Sequence, residues 1–241
     1  QWPWPRQLTA QLLDKIIAMQ PAAIGIDILM PEVDRLSPEH WLQQIQGLNE
    51  DAIASLQQLP SHDRLLANSL SSGPVALAIA GAYHPTTEQE ALAPRTQAVI
   101  EGAAPQTFLP QYSSSIRSID LLDQAAPGHG VISAEKDQDG VVRRMPLASV
   151  IAGEVHPSLS LEMLRLTLGI PWFVVNSDTN GLASLAIGDL QIPTNNAGEV
   201  WVHYGKHDPN RFISAADILN DEVATDVVAN RLILLGVTAL G

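Results

Sequence analysis

A chain of 241 residues with 46% hydrophobic residues can bury a sizeable core, which excludes wholesale disorder. Its 13 Lys and Arg stand against 26 Asp and Glu, a net charge of −13, so its surface repels nucleic-acid phosphates and anionic membranes. The absence of cysteine rules out disulfides, thiolate metal sites and a Cys nucleophile, and it suits an oxidising compartment.

The opening residues 2–6 (WPWPR) are stiff, because each proline fixes its own φ and restricts its neighbour. Leu8, Leu12, Leu13, Ile16 and Ile17 then repeat at helical spacing up to Pro21. Residues 23–29 (AIGIDIL) read as a central strand covered on both faces, with Asp27 in its middle, leading into the acidic loop that holds Asp34. Residues 38–59 read as one Gln-rich helix and residues 63–70 as another, before a strand over 75–80. This alternation predicts a parallel sheet with crossover helices.

Residues 83–115 carry Pro85, Pro94, Pro105 and Pro110 and read as a long surface excursion with little regular structure. Residues 130–133 and 141–145 are expected to form an antiparallel pair around the Asp139-Gly140 turn. Residues 147–151 read as a further strand. Residues 157–168 form a compact helix, with Gly169 at its C′ position. Short strands follow over 172–175, 182–187, 190–192 and 200–203, then a helix over 212–219 and a final buried strand over 231–237. The fold class is therefore α/β: a mixed central sheet with a parallel portion, flanking helices and a more antiparallel C-terminal region, in a single domain spanning 1–241.

In order along the chain, WPWPR, residues 24–34 (IGIDILMPEVD), the helix-to-strand step from Leu65 to Ile79 and residues 128–147 (GHGVISAEKDQDGVVRRMPL) resemble one known family. So do residues 156–166 (HPSLSLEMLRL), 192–204 (IPTNNAGEVWVHY), 212–219 (FISAADIL) and 231–241 (RLILLGVTALG). The family is the cyclase- and histidine-kinase-associated sensory extracellular domain of the second type. The resemblance implies the extracytoplasmic input domain of a bacterial transmembrane receptor, linked through membrane helices to a cytoplasmic cyclase, diguanylate cyclase, phosphodiesterase or kinase. It implies a homodimer, with both chain ends near each other on the membrane-facing side. The family's ligands are undefined, so the resemblance contributes location and role without a substrate. The Gln-rich helix and the proline-rich excursion look like local elaborations. The abrupt start at Gln1 and the stop after a strong strand read as a piece excised from a longer protein, short of the acidic, proline-bearing segment the family leads one to expect.

Five residues are candidate contacts for an unknown small ligand: Asp27, Asp34, Asp139, Arg143 and Arg144. A carboxylate buried among isoleucines must be paired or bound, so Asp27 either meets a ligand or cation or makes a structural hydrogen bond. Arg143 and Arg144 suit a planar anion, or an internal Arg–Asp pair, possibly with Asp27, with Asp139 as plain turn chemistry; neighbours in a strand point to opposite faces, so one of the two arginines would share the core side. Asn176, Asp178 and Asn180 imitate the opening of a calcium loop, but Ile187 stands where a bidentate Glu is needed, and a hairpin turn is the better reading. Gly205 and Pro209 argue against a helix that would unite His203 and His207 on a metal. His129, between two glycines, either faces a ligand or belongs to a flexible lead-in to a strand. Trp2 and Trp4 suit either a membrane interface or a staple onto the core. No nucleophile elbow, P-loop, dinucleotide fingerprint or zinc-protease motif occurs, and no catalytic residue, metal or cofactor is expected. The alternative reading is a structural dimerisation or protein-interaction module without a small ligand.

Overall fold

A computed structural model describes residues 4–44, 47–84 and 93–237, the side chains of 43 and 44 excepted. In chain order its elements are α1 (Arg6–Ala18), β1 (Ala23–Asp27), α2 (Pro38–Gln44), α3 (Glu50–Gln57), α4 (His62–Ser71), β2 (Val75–Ala82), β3 (Gln97–Gly102), β4 (Gln111–Tyr112) and β5 (Ser114–Ile116). Next come α5 (Asp120–Ala125), β6 (Gly128–Val131), β7 (Arg144–Pro146), β8 (Ala148–Ile151), β9 (Glu154–Pro157) and α6 (Leu159–Leu168). The remainder is β10 (Trp172–Asp178), β11 (Gly181–Ile187), β12 (Leu190–Pro193), β13 (Glu199–Trp201), α7 (Ala215–Leu219) and β14 (Leu232–Gly236).

Near-continuous apolar runs build a parallel layer: β14 pairs with β1, β1 with β2 and β2 with β6, all parallel, while β5 joins the end of β2 antiparallel. Period-two alternation sorts the side chains by face. Ile24, Ile26, Val75 and Leu77 pack with Leu12, Leu13, Ile16, Leu66, Leu70 and Leu122 of α1, α4 and α5. The buried side chains of the other face are the small Ala23, Ala76 and Ala78, against Leu159 and Met163 of α6. Small residues there let the helix close in. A Cβ on Gly130 would lie 2.2 Å from the Cα of Leu159, so that strand position admits glycine alone.

A second layer has strand order β12-β11-β10-β3, with β10 and β3 parallel and the rest antiparallel. Phe173, Val175, Leu182, Leu185 and Ile187 form its core together with Leu161. Helix α6 therefore serves both layers, Met163 toward one and Leu161 toward the other. Ser158 accepts from the N–H of Leu161 at the start of α6, and Gly169 ends it in the left-handed conformation. The architecture is mixed α/β with parallel and antiparallel sheets and flanking helices, as the sequence pattern indicates.

Several local expectations need correction. The single helix over 38–59 is two, α2 and α3, with Gly47 at positive φ between them and Asn49 accepting from Ala52 N–H at the start of α3. The excursion at 83–115 contains β3, β4 and β5, and β3 pairs in register with all but the last residue of β10; its residues 85–92 lie outside those described. No hairpin forms around Asp139-Gly140. β6 is taken up by β2 and β7 by β13, leaving a turn in which Gly140 N–H donates to Asp137. The strand at 231–237 lies at the sheet edge: Ile233 and Leu235 face the core, whereas Leu234 is 62% exposed. Trp4 packs against the core, and Trp2 lies outside the described residues.

Candidate functional site

The five candidate residues fall in three places. Asp27 is the last residue of β1, exposed and in register with Gly236, and not a buried mid-strand carboxylate. The strand stops there because Ile28 and Leu29 leave the ladder. Asp34 is buried in the loop that follows β1. Its Oδ2 accepts from the backbone N–H of Arg6 at 2.8 Å and lies 2.9 Å from Nδ1 of His62, while its Oδ1 accepts from Leu36 N–H. Asp34 N–H donates to Asp63 at 3.0 Å, and Asp63 lies 3.7 Å from Nε of Arg6. Burial opposes ionisation of Asp34, but the amides of Leu36 and Arg6 and the His62 ring outweigh it and hold the carboxyl below its ordinary range. Burial pushes Asp63 upward, more than Asp34 N–H and Arg6 pull it back. The cluster is a latch that fastens the start of α1 and the first turn of α4 to the loop after β1.

Asp139, Arg143 and Arg144 form a surface clasp. Arg143 donates to Asp139 at 2.6 Å and to Asp137 at 2.9 Å, and Arg144 reaches Asp137 at 3.2 Å and Glu199 at 3.4 Å. The strand-face rule does not separate the two arginines, because β7 begins only at Arg144 and Arg143 lies in the loop before it. Tyr204 Oη donates to the carbonyl of Val142, and the Trp201 ring lies 6.0 Å from the Arg144 guanidinium carbon. Asp27 has no ion pair or hydrogen bond with this clasp among the described residues.

The most constrained polar centre was not singled out from the sequence. Arg117, Asp123, His129 and His156 come from the loop after β5, from α5, from β6 and from β9, and all four are buried. Arg117 pairs with Asp123 and also with Asp120 at 2.9 Å. Nε2 of His129 stands 3.6 Å from Oδ1 of Asp123. Among the described residues, Nε of Arg117, Oδ1 of Asp123, both ring nitrogens of His129 and Nε2 of His156 are buried without a hydrogen-bond partner. Burial raises Asp123 to about 6 against the pull of Arg117. Burial lowers His129 to about 4, with further depression from Arg95, His156 and Arg117, and burial alone lowers His156 to about 4. At neutral pH the centre thus holds one Arg–Asp ion pair beside two neutral imidazoles. His129 lies within β6, not in a flexible lead-in.

Beside it Glu162, fully buried, accepts from Nε and Nη2 of Arg165 at 2.9 and 2.7 Å and from Thr96 at 2.9 Å. A Cβ on Gly128 would strike this carboxylate, so the glycine pair flanking His129 makes room for α6. Arg95 Nη2 donates to the carbonyls of Asp123 and Gln124 at 3.2 and 2.7 Å, closing the last turn of α5. A groove of about 340 Å³ opens on the outer side of Arg95, with Gln97, Ala98, Ile100, Gln106, Glu154 and Val155 in its walls.

Two other motifs resolve plainly. Residues 176–181 span the end of β10, the two-residue turn at 179–180 and the start of β11, with Asp178 accepting from Asn180 N–H. His203 and His207 share no helix, and His207 lies against Phe212 with ring centres 5.0 Å apart. Among the described residues no group of three or more His, Asp or Glu is placed to hold a metal, and no helix is long and apolar enough to cross a membrane.

Arg6 is tied to the loop that follows β1, and Gly236 stands beside Asp27, the last residue of that strand. Against known proteins, the CHASE2 domain family model matches residues 1–241. No curated protein and no solved structure matches.

Proposed function

We propose that this chain, which belongs to the CHASE2 domain family of extracellular sensory domains, is the stimulus-sensing input of a bacterial transmembrane receptor. In this reading residues 1–241 act as one extracytoplasmic unit, paired as a homodimer and joined through membrane helices to a cytoplasmic output module. The family is one of sensors and not of catalysts, and the unit acts by binding.

The observation that carries the proposal lies where β1 ends. A receptor domain held by membrane helices needs entry and exit on one side; in this reading Arg6, bonded to the loop that leaves β1, and Gly236, beside the last residue of β1, mark that side. A stimulus moves such a device only if it binds two states unequally; driving a population from 1:99 to 99:1 takes about 5.5 kcal/mol of differential binding. The Arg6–Asp34–His62–Asp63 latch couples α1 to the sheet and is the part such a shift would work against. Asp34 belongs to that latch. Asp27 and the Asp139–Arg143–Arg144 clasp face solvent and are proposed as contacts for ligand or partner.

In the full receptor, Arg6→Ala is expected to change the unstimulated output while the domain stays folded. An output identical to wild type from a folded Arg6→Ala receptor would overturn the transmission route.

The alternative, an interaction module without a small ligand, is favoured by β14, the last strand of its sheet among the described residues, where Leu232 and Leu234 are exposed. A dimer whose stability falls when Leu234 becomes Lys, in a domain without response to any small molecule, would favour it.

A further inference from the structure

We infer that the groove beside Arg95 is a binding site for a small zwitterion of the amino-acid type, with Arg95 taking the carboxylate and Glu154 the ammonium. The inference deepens the sensor reading and rests on it for its meaning, though not for its test. The groove, at about 340 Å³, lies at the lower end of the roughly 300–1,000 Å³ of small-molecule sites. Among the described residues its walls carry one cation, Arg95, one anion, Glu154, and two amides, Gln97 and Gln106, and both charged residues are exposed. Ile100 and Val155 supply an apolar wall for a short side chain.

Charge selects the ligand class. A guanidinium fork matches a carboxylate, and Glu154 in the same groove disfavours a simple anion. The net charge of −13 repels anions in general, whereas a zwitterion carries no net charge to repel. A pure cation would meet Arg95. A molecule bearing both charges satisfies both groups.

Arg95 also gives the site a way to report occupancy. Its Nη2 holds the carbonyls of Asp123 and Gln124 at the end of α5. α5 packs on α4, and α4 packs on α1, whose first residue is in the latch. A carboxylate that draws on the Arg95 fork competes with those carbonyls and loosens the end of α5. The Asp123–His129 pair lies immediately behind that helix end.

The test is calorimetry and thermal unfolding of the chain with L-alanine, L-valine, acetate and ethylammonium as probes. At least one amino acid is expected to bind and raise the unfolding temperature, and each single-charge fragment to bind about tenfold more weakly or worse. Glu154→Gln and Arg95→Gln are each expected to weaken binding by about tenfold or more. Because Arg95→Gln also removes a helix-end contact, Ile100→Glu provides an independent block from an exposed position. No heat from either amino acid at millimolar concentration overturns the inference, as does binding that survives Glu154→Gln and Ile100→Glu. Binding without any change in output of the full receptor would leave the groove standing and remove the sensor reading. Absent binding in a receptor whose output shifts with Arg6→Ala would do the reverse.

Discussion

Nε2 of His129 and Oδ1 of Asp123 lie 3.6 Å apart inside the domain, beyond hydrogen-bonding reach, and neither atom has another partner among the described residues. Buried polar atoms are nearly always satisfied, so this arrangement stores a cost that a shift of a few tenths of an ångström, or a proton, would relieve. The pair stands between α5 and β6, which brings the relief within reach of the elements leading to α1.

The protonation behaviour of this centre makes stability depend on pH in a calculable direction. His129 and His156 are depressed from 6.5 to about 4, so each contributes stability that is present above 6.5 and lost as pH falls through about 4. Asp123 is raised from 3.8 to about 6, so its contribution is full below 3.8 and lost as pH rises through about 6. Between about 4 and 6 the two histidines outnumber the one carboxyl by about one proton, and these groups are expected to lower stability by about 1.4 kcal/mol per pH unit of acidification. His156→Gln removes one histidine and is expected to flatten that slope. Urea unfolding at a series of pH values reads both chains; equal slopes in the two would contradict the assignment.

Glu162→Gln is expected to cost about 3–5 kcal/mol. The fully buried carboxylate holds Arg165 through two hydrogen bonds and Thr96 through another, and removing its charge leaves a buried guanidinium uncompensated. The denaturant midpoint measures it, and a loss below about 1 kcal/mol would show that the pair contributes little.

The two acidic positions in the sequence motifs should behave oppositely. Asp34→Asn weakens the hydrogen bonds of a buried latch and is expected to lower stability by about 2–4 kcal/mol. Asp139→Asn removes a partner of Arg143 at the surface, where Asp137 remains to pair with it, and no measurable change in unfolding midpoint is expected. Thermal unfolding of both variants side by side decides the matter; a larger loss at Asp139 would reverse the reading of latch and clasp.

What was legible in the sequence is the part written in local periodicity. The apolar runs of β1 and β2, the helical spacing of α1 and the glycine that ends α6 each declare their element within a dozen residues. The Asp139-Gly140 turn was legible too, but its strand partners were not, because β6 finds β2 and β7 finds β13 only after the chain has folded back. Asp27 was misplaced for a similar reason: its isoleucine neighbours look like a continuing strand, yet the ladder ends at Asp27 itself. The buried centre was the least visible. Arg95, Arg117, Asp123, His129 and His156 have no common motif, and only the tertiary fold brings β6, β9 and α5 around them. The glycines flanking His129 were the one available sign, since they mark where a helix approaches the strand closely.

The chain has no cysteine, which permits a direct test of where it works. Thr179, exposed in the β10–β11 turn, is replaced by Cys in the parent polypeptide otherwise freed of cysteine, and intact cells are treated with a maleimide that does not cross the cytoplasmic membrane. An extracytoplasmic sensor is labelled in intact cells to the same extent as after lysis. Labelling that appears only after lysis would place the domain in the cytoplasm and contradict the receptor assignment.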